Sequence, residues 1–149
     1  MAHLDSLATA HPDRPTCLTI GAFDGVHRGH QRVIERLVET ARRKGYQAAV
    51  LTFYPLPRQV IGGPKPDFYL TTRDDRAALL DSLGVDLVIT HPFDDRVRAI
   101  RAADFVDTLL AHLDVKELWV GDDFALGYQR EGNVPFLRAQ GEKLSLIHI

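Results

Sequence analysis

The chain has 149 residues, 45% hydrophobic and 26% charged, with a formal charge of −2, which excludes wholesale disorder and supplies enough apolar side chain for one continuous core. The 18 Lys plus Arg are balanced by 20 Asp plus Glu, so the basic excess of a nucleic-acid-binding module is missing. Cys17 is the sole cysteine, so no internal disulfide or thiolate zinc cluster can form; no apolar run reaches the roughly 18 residues of a membrane span, and residues 1–15 carry no signal-peptide core, which together read as a cytoplasmic chain.

Residues 1–15, with Pro12 and Pro15, show no periodicity and are expected to pack loosely. Residues 16–23 are apolar and β-branched and end at an Asp-Gly pair, which predicts a buried strand. A loop follows over 24–29. From about His30 the period becomes helical: Val33, Ile34, Leu37, Val38 and Ala41 form one stripe, and Gly45 follows a basic last turn as a helix terminator. Residues 48–53 predict a second strand, with Cys17 and Trp119 in strand patterns read as core. Residues 54–70 hold four prolines and the pair Gly62-Gly63, too broken for a regular element. A helix is expected from Thr71 or Thr72 to Gly84, a strand over 85–90, a helix over 102–113 and a fourth strand over 118–121. A polar loop over 122–133, a short helix over 135–140 and a fifth strand over 143–149 complete the pattern.

Alternating strands and helices predict an α/β fold, a parallel sheet of about five strands with helices on both faces. Such folds bind ligands outside the carboxyl ends of the strands, at the point where strand order reverses. Here those ends are residues 21–30, 52–58, 90–95 and 121–132.

The first of these, Gly21-Ala22-Phe23-Asp24-Gly25-Val26-His27-Arg28-Gly29-His30, is the densest signal. Its glycine spacing is neither that of a dinucleotide fingerprint nor that of a P-loop. It is a glycine-bearing turn at a helix N-terminus, where free backbone N–H groups and the helix dipole attract anions. Histidines can donate hydrogen bonds to phosphate oxygens as charge builds up on them, so the combination reads as a polyphosphate site. Two other readings stand beside it. His27 and His30 can be ordinary polar residues at a helix start, or a metal pair, the latter disfavoured because Asp24 is the only nearby carboxylate.

His27-Arg28-Gly29-His30 resembles the His-x-Gly-His motif of the nucleotidylyltransferase superfamily. The longer stretch from Gly21, with Thr52-Phe53-Tyr54-Pro55-Leu56-Pro57, Leu70-Thr71-Thr72 and Gly121-Asp122-Asp123-Phe124-Ala125-Leu126-Gly127 followed by Arg130 and Gly132, is similar to the FMN adenylyltransferase module of prokaryotic bifunctional FAD synthetase. The resemblance covers about residues 16–141. It implies a Rossmann-like three-layer sandwich and transfer of AMP from ATP, with Mg²⁺, to FMN, giving FAD and pyrophosphate. It also implies roles. His27 and His30 would act on the triphosphate; Gly21, Phe23, Asp24, Gly25, Gly29 and Asp123 would shape the ATP pocket; Phe53, Pro55, Pro57, Phe124 and Arg130 would border the flavin. No protein-held metal site, membrane or nucleic-acid partner is implied.

Two departures matter. Leu56 stands where many relatives carry His or Gln, so any polar role there is lost or moved. The family continues into a Ser-Ser/Thr-x-Ile-Arg stretch and a riboflavin kinase domain, neither of which precedes Ile149. Residues 1–149 are therefore expected to be one adenylyltransferase domain, incomplete at its C-terminal end and without kinase activity. The alternatives are transfer to another phosphate acceptor, such as phosphopantetheine, and an inactive fragment that binds ATP or flavin.

Overall fold

A computed structural model describes residues 2–11, 14–21, 28–54, 73–92, 97, 99–119, 125–126, 132–133, 135, 139 and 147–148. Among the described residues the strands are, in chain order, β1 (Ala2–Leu4), β2 (Pro15–Ile20), β3 (Gln47–Tyr54), β4 (Leu87–Pro92), β5 (Asp114–Trp119), β6 (Ala125–Leu126), β7 (Gly132–Asn133) and β8 (Ile147–His148). The α-helices given in full there are α1 (Arg28–Lys44), between β2 and β3, α2 (Arg73–Ser82), between β3 and β4, and α3 (Ala102–His112), between β4 and β5. Six strands form one sheet in the order β1-β4-β3-β2-β5-β8, with every neighbouring pair parallel. β6 and β7 make a separate two-stranded antiparallel pair.

Parallel sheets are stable only when both faces are covered, and the strand sequences show why this one is. Along β3, Ala48 and Val50 meet α1 and α2, while Ala49 and Leu51 point to the other face. The first face is filled by Ile34, Leu37, Ala41, Leu80 and Val88. The second is filled by Leu18, Ile20, Ile89, Phe105, Val106 and Leu109. The result is the three-layer α/β architecture that the alternation of elements predicts, with α1 and α2 on the first face and α3 on the second.

Several details differ from the sequence pattern. Residues 2–10 are docked, not loose: β1 pairs with β4, and Leu7 and Ala10 are buried in the core cluster. A three-residue strand is too short to show a period, and Leu7 enters the core from a single 3-10 turn (Leu7–Thr9). That docked segment is why the sheet has a sixth strand. Val33 is 39% exposed, because the buried stripe of α1 runs through Ile34, Leu37 and Ala41, one residue off it. β5 begins at Asp114 and not at 118, because its buried Glu117 interrupts the apolar run that marks a strand. The segment 122–133 holds the β6–β7 pair, and only Pro135 and Ala139 of the short helix expected over 135–140 are among the described residues.

Helices α1 and α2 end in the same way. Gly45 has φ +71 and Gly84 has φ +90, the left-handed conformation that closes a helix. In each case the glycine N–H and the next N–H reach back to the last turn: Gly45 to Arg42 O and Tyr46 to Ala41 O, Gly84 to Asp81 O and Val85 to Leu80 O. Orphan carbonyls are satisfied, and the chain turns directly into the next strand.

The two ends are tied together by Asp86. Its carboxylate accepts from Arg42 at 2.7 and 3.0 Å and from the Ala48 N–H at 2.9 Å, while its own N–H donates to Ala48 O. Arg42 also donates to Gly84 O at 2.8 Å. Burial pushes the Asp86 carboxyl up, but the hydrogen bonds from Arg42 and Ala48 more than offset this and hold its pKa below the ordinary carboxylate value.

Two outcomes are expected. A Cβ at Gly84 would meet Val38 Cγ1 at 3.2 Å, whereas at Gly45 nothing lies within 4 Å. Urea unfolding should show Gly45→Ala losing about 1 kcal/mol from backbone strain and Gly84→Ala about 2 kcal/mol from strain plus contact. Asp86→Asn keeps an acceptor for Ala48 but loses the charge. Because Arg42 is half exposed, solvent screens the pair, and the loss near pH 7 should be about 1 kcal/mol. A lowered folded pKa stabilises above the ordinary carboxylate value and ceases to do so as pH falls through the folded one. The gap between wild type and Asp86→Asn should therefore close in acid; a gap constant from neutral pH to about pH 2 would contradict the pairing.

Candidate nucleotide site at the carboxyl ends of the strands

From β2 the chain builds outward through β3 and β4, then returns to the opposite side of β2 as β5. The order reverses between β2 and β5, and their carboxyl ends flank the crevice where α/β sheets bind ligands. Thr19 and Trp119 pair across this seam, and the Thr19 hydroxyl donates to Trp119 O at 2.7 Å. On the other side the Gly21 N–H donates to Leu51 O at 3.1 Å, holding the end of β2 against β3. Gly21, the first residue of the glycine-histidine segment, is thus anchored at the reversal. In sequence, the segment from Gly121 to Gly127 likewise follows the end of β5.

Helix α1 begins at Arg28, so the backbones of Gly29 and His30 stand in its first turn, where N–H groups lack helical acceptors. That turn contains no acidic residue, so its own side chains do not offset the positive end of the helix dipole. Phe23, Asp24, Gly25 and His27 lie outside the described residues, as do Pro55, Pro57, Asp123, Phe124 and Arg130. The structure therefore places Gly21, Gly29 and His30 around the β2–α1 junction, and Phe53 on the adjacent strand β3 along the same rim.

Phe53, near the carboxyl end of β3, is half-buried against the core cluster that also holds Leu51 and Ile89. Its carbonyl accepts from Arg76 of α2 at 3.2 Å, and Arg76 is itself buried. Its ring meets His91 edge to face, with centroids 6.5 Å apart and planes at 83°. His91 is opposite Phe53 in the β3–β4 register, and its Nδ1 accepts from the Leu7 N–H at 3.0 Å. Next to it the Thr90 hydroxyl is hydrogen-bonded to His3 Nε2 at 2.9 Å. Sequence reasoning places 90–95 at a strand end but singles out none of Arg76, Thr90 or His91. The available signal was position alone: a histidine in register with a rim aromatic.

Cys17 is not part of this site. Burial, aided by the charge of Glu117 beside it, pushes its thiol up to about 11, so it is no thiolate nucleophile at neutral pH. Glu117 Oε2 accepts from Lys44 Nζ at 2.6 Å, and its Oε1 has no hydrogen-bond partner among the described residues. The hydrogen bond to Glu117 raises the Lys44 pKa. This pair joins the last turn of α1 to β5, away from the carboxyl rim. Among the described residues no three His, Cys, Asp or Glu side chains cluster as a metal site, and no helix is long and apolar enough to cross a membrane.

The sequence profile of FAD synthetase matches residues 9–148. The chain belongs to the FAD synthetase family. It is 40% identical over 131 residues to the bifunctional riboflavin kinase/FMN adenylyltransferase of Escherichia coli K12, covering 87% of this chain and 42% of that one. It is 39% identical over 121 residues to a putative protein of the same description from Geobacillus thermodenitrificans, covering 81% of this chain and 65% of that one. The chain thus spans less than half the length of the E. coli relative. A solved Streptococcus pneumoniae structure described as a macrolide-efflux protein superimposes with TM-score 0.80 over 99% of this chain and 49% of its own. At 21% identity this likeness shows the fold alone. The family match supports a transferase and runs through all the motif segments, from Gly21 to Arg130.

Proposed function

We propose that this chain is an FMN adenylyltransferase, which transfers the AMP moiety of ATP to FMN and releases pyrophosphate. One observation carries the reading: the family's glycine-histidine segment starts at the strand-order reversal and runs into a helix whose first turn carries no acid. That is where a triphosphate is best received.

In this reading an FMN phosphate oxygen attacks the α-phosphorus of ATP in line. The bond from that phosphorus to the bridging oxygen of the β-phosphate breaks, and pyrophosphate leaves with the electron pair. Such a transfer depends on positioning and on neutralising charge more than on moving protons. His27 and His30 donate hydrogen bonds to the α-phosphate and the departing pyrophosphate. Gly21, Phe23, Asp24, Gly25 and Gly29 shape the nucleotide pocket, and Asp123 holds the ribose or a magnesium-bound phosphate. ATP arrives as its Mg²⁺ complex, with the ion held mainly by phosphates and water. Phe53, Pro55, Pro57 and Phe124 form the apolar wall that a flat isoalloxazine ring requires, and Arg130 meets the FMN phosphate. The reaction needs neither membrane nor nucleic acid and suits the cytoplasm.

The test is chromatographic. The purified chain, given ATP, FMN and Mg²⁺, is expected to form FAD. His27→Ala and His30→Ala should each lower FAD formation by about two orders of magnitude, the size of one lost charge-stabilising donor. Circular dichroism should stay unchanged. Equal rates in both variants and wild type would remove the histidines from the mechanism. ATP binding with no FAD formed would replace the enzyme reading with a binding fragment, and turnover of phosphopantetheine in place of FMN would reassign the acceptor.

A further inference from the structure

We propose that His91 is a positioning residue, which couples docking of the N-terminal segment to the flavin-side wall at Phe53. The inference rests on the flavin reading of Phe53 above.

The first N–H of a 3-10 turn has no acceptor within the turn. In the Leu7–Thr9 turn, Ser6 Oγ takes the Ala8 N–H and leaves Leu7 to be satisfied elsewhere. The Leu7 N–H goes across the molecule to His91 Nδ1, on β4. A ring nitrogen that accepts an amide hydrogen carries no proton itself, so this bond sets which edge of the His91 ring faces Leu7 and thereby orients its plane. That same ring stands edge-on to Phe53. The backbone of Phe53 is held separately, by the β3–β4 ladder and by Arg76, so the contact with His91 acts on the ring.

Among the described residues, the Leu7–His91 hydrogen bond is a direct link from the N-terminal segment to the ring that faces Phe53. Further tethers of the segment are β1 to β4 at residues 87–89, His3 to Thr90, and Ala10 O to His112 Nδ1 at 3.2 Å on α3. Leu7 itself is 1% exposed in the core cluster that Phe53 packs against. Undocking residues 7–9 would remove the Leu7 hydrogen bond to the His91 ring and the packing of Leu7 in the cluster behind Phe53 together. By linkage, a ligand that seats on the Phe53 wall must favour the docked segment to the same extent.

Two substitutions separate the ring from the acceptor. His91→Phe keeps an edge contact for Phe53 but cannot accept from Leu7. His91→Asn places Oδ1 where Nδ1 stands and keeps the acceptor. The experiment measures FAD formation against FMN concentration and amide exchange at Leu7, with and without FMN. For wild type, FMN should slow Leu7 exchange. For His91→Phe, Leu7 should exchange faster, the KM for FMN should rise about five-fold, the scale of one net hydrogen bond, and kcat should stay within about two-fold. His91→Asn should restore Leu7 protection and most of the KM. A role confined to stability would leave KM unmoved while Leu7 exchange rose, and would overturn the coupling. A raised KM with Leu7 still protected, or no change in either, would overturn it as well. Should the flavin reading itself be wrong, wild type would form no FAD and FMN would leave Leu7 exchange unchanged, an outcome that overturns both and differs from all the others.

Discussion

The central strand β2 must satisfy four neighbours at once. It pairs with β3 on one edge and β5 on the other, and its alternating side chains fill the cores under α1 and under α3. The return of the chain to its far side creates the order reversal, and with it the crevice. The Thr19 hydroxyl secures the β5 side of that crevice and the Gly21 N–H the β3 side. A strand so committed can leave the sheet only at its carboxyl end, and there the glycine-histidine segment begins.

The two rims of the sheet are built differently. At the amino rim the connections are short: residues 45–46 join α1 to β3, residues 83–86 join α2 to β4, and Leu113 alone joins α3 to β5. Left-handed glycines and the Asp86 network fix the first two. At the carboxyl rim more sequence separates the described elements: residues 21–27, 55–72 and 93–101.

Most of the fold was legible because the sheet is buried on both faces. Continuous apolar runs such as 48–53 mark central strands, and Gly45 and Gly84 mark where helices must stop. What escaped were elements whose stability comes from partners distant in sequence. β1 and Leu7 are held by residues more than eighty positions away, and the start of β5 depends on Lys44 neutralising Glu117. A charged residue inside a strand reads as loop until its counter-ion is seen. In the site, residue types alone point to an anion-binding turn around His27 and His30, and of that segment the described residues are Gly21 and the helix start from Arg28. His91 was not legible, because its role depends on a backbone amide contributed by residue 7 and on register with Phe53.

The environment of Cys17 has a further consequence. The side chain is fully buried between α1 and the sheet, with an anionic neighbour that opposes ionisation. In the native state it is shielded from oxidants, alkylating agents and soft metals by two independent barriers, access and protonation. Both fall together only when α1 lifts from β2, which dismantles the middle of the molecule. The protein thus carries a thiol that is chemically silent while the structure persists and reactive once it is lost.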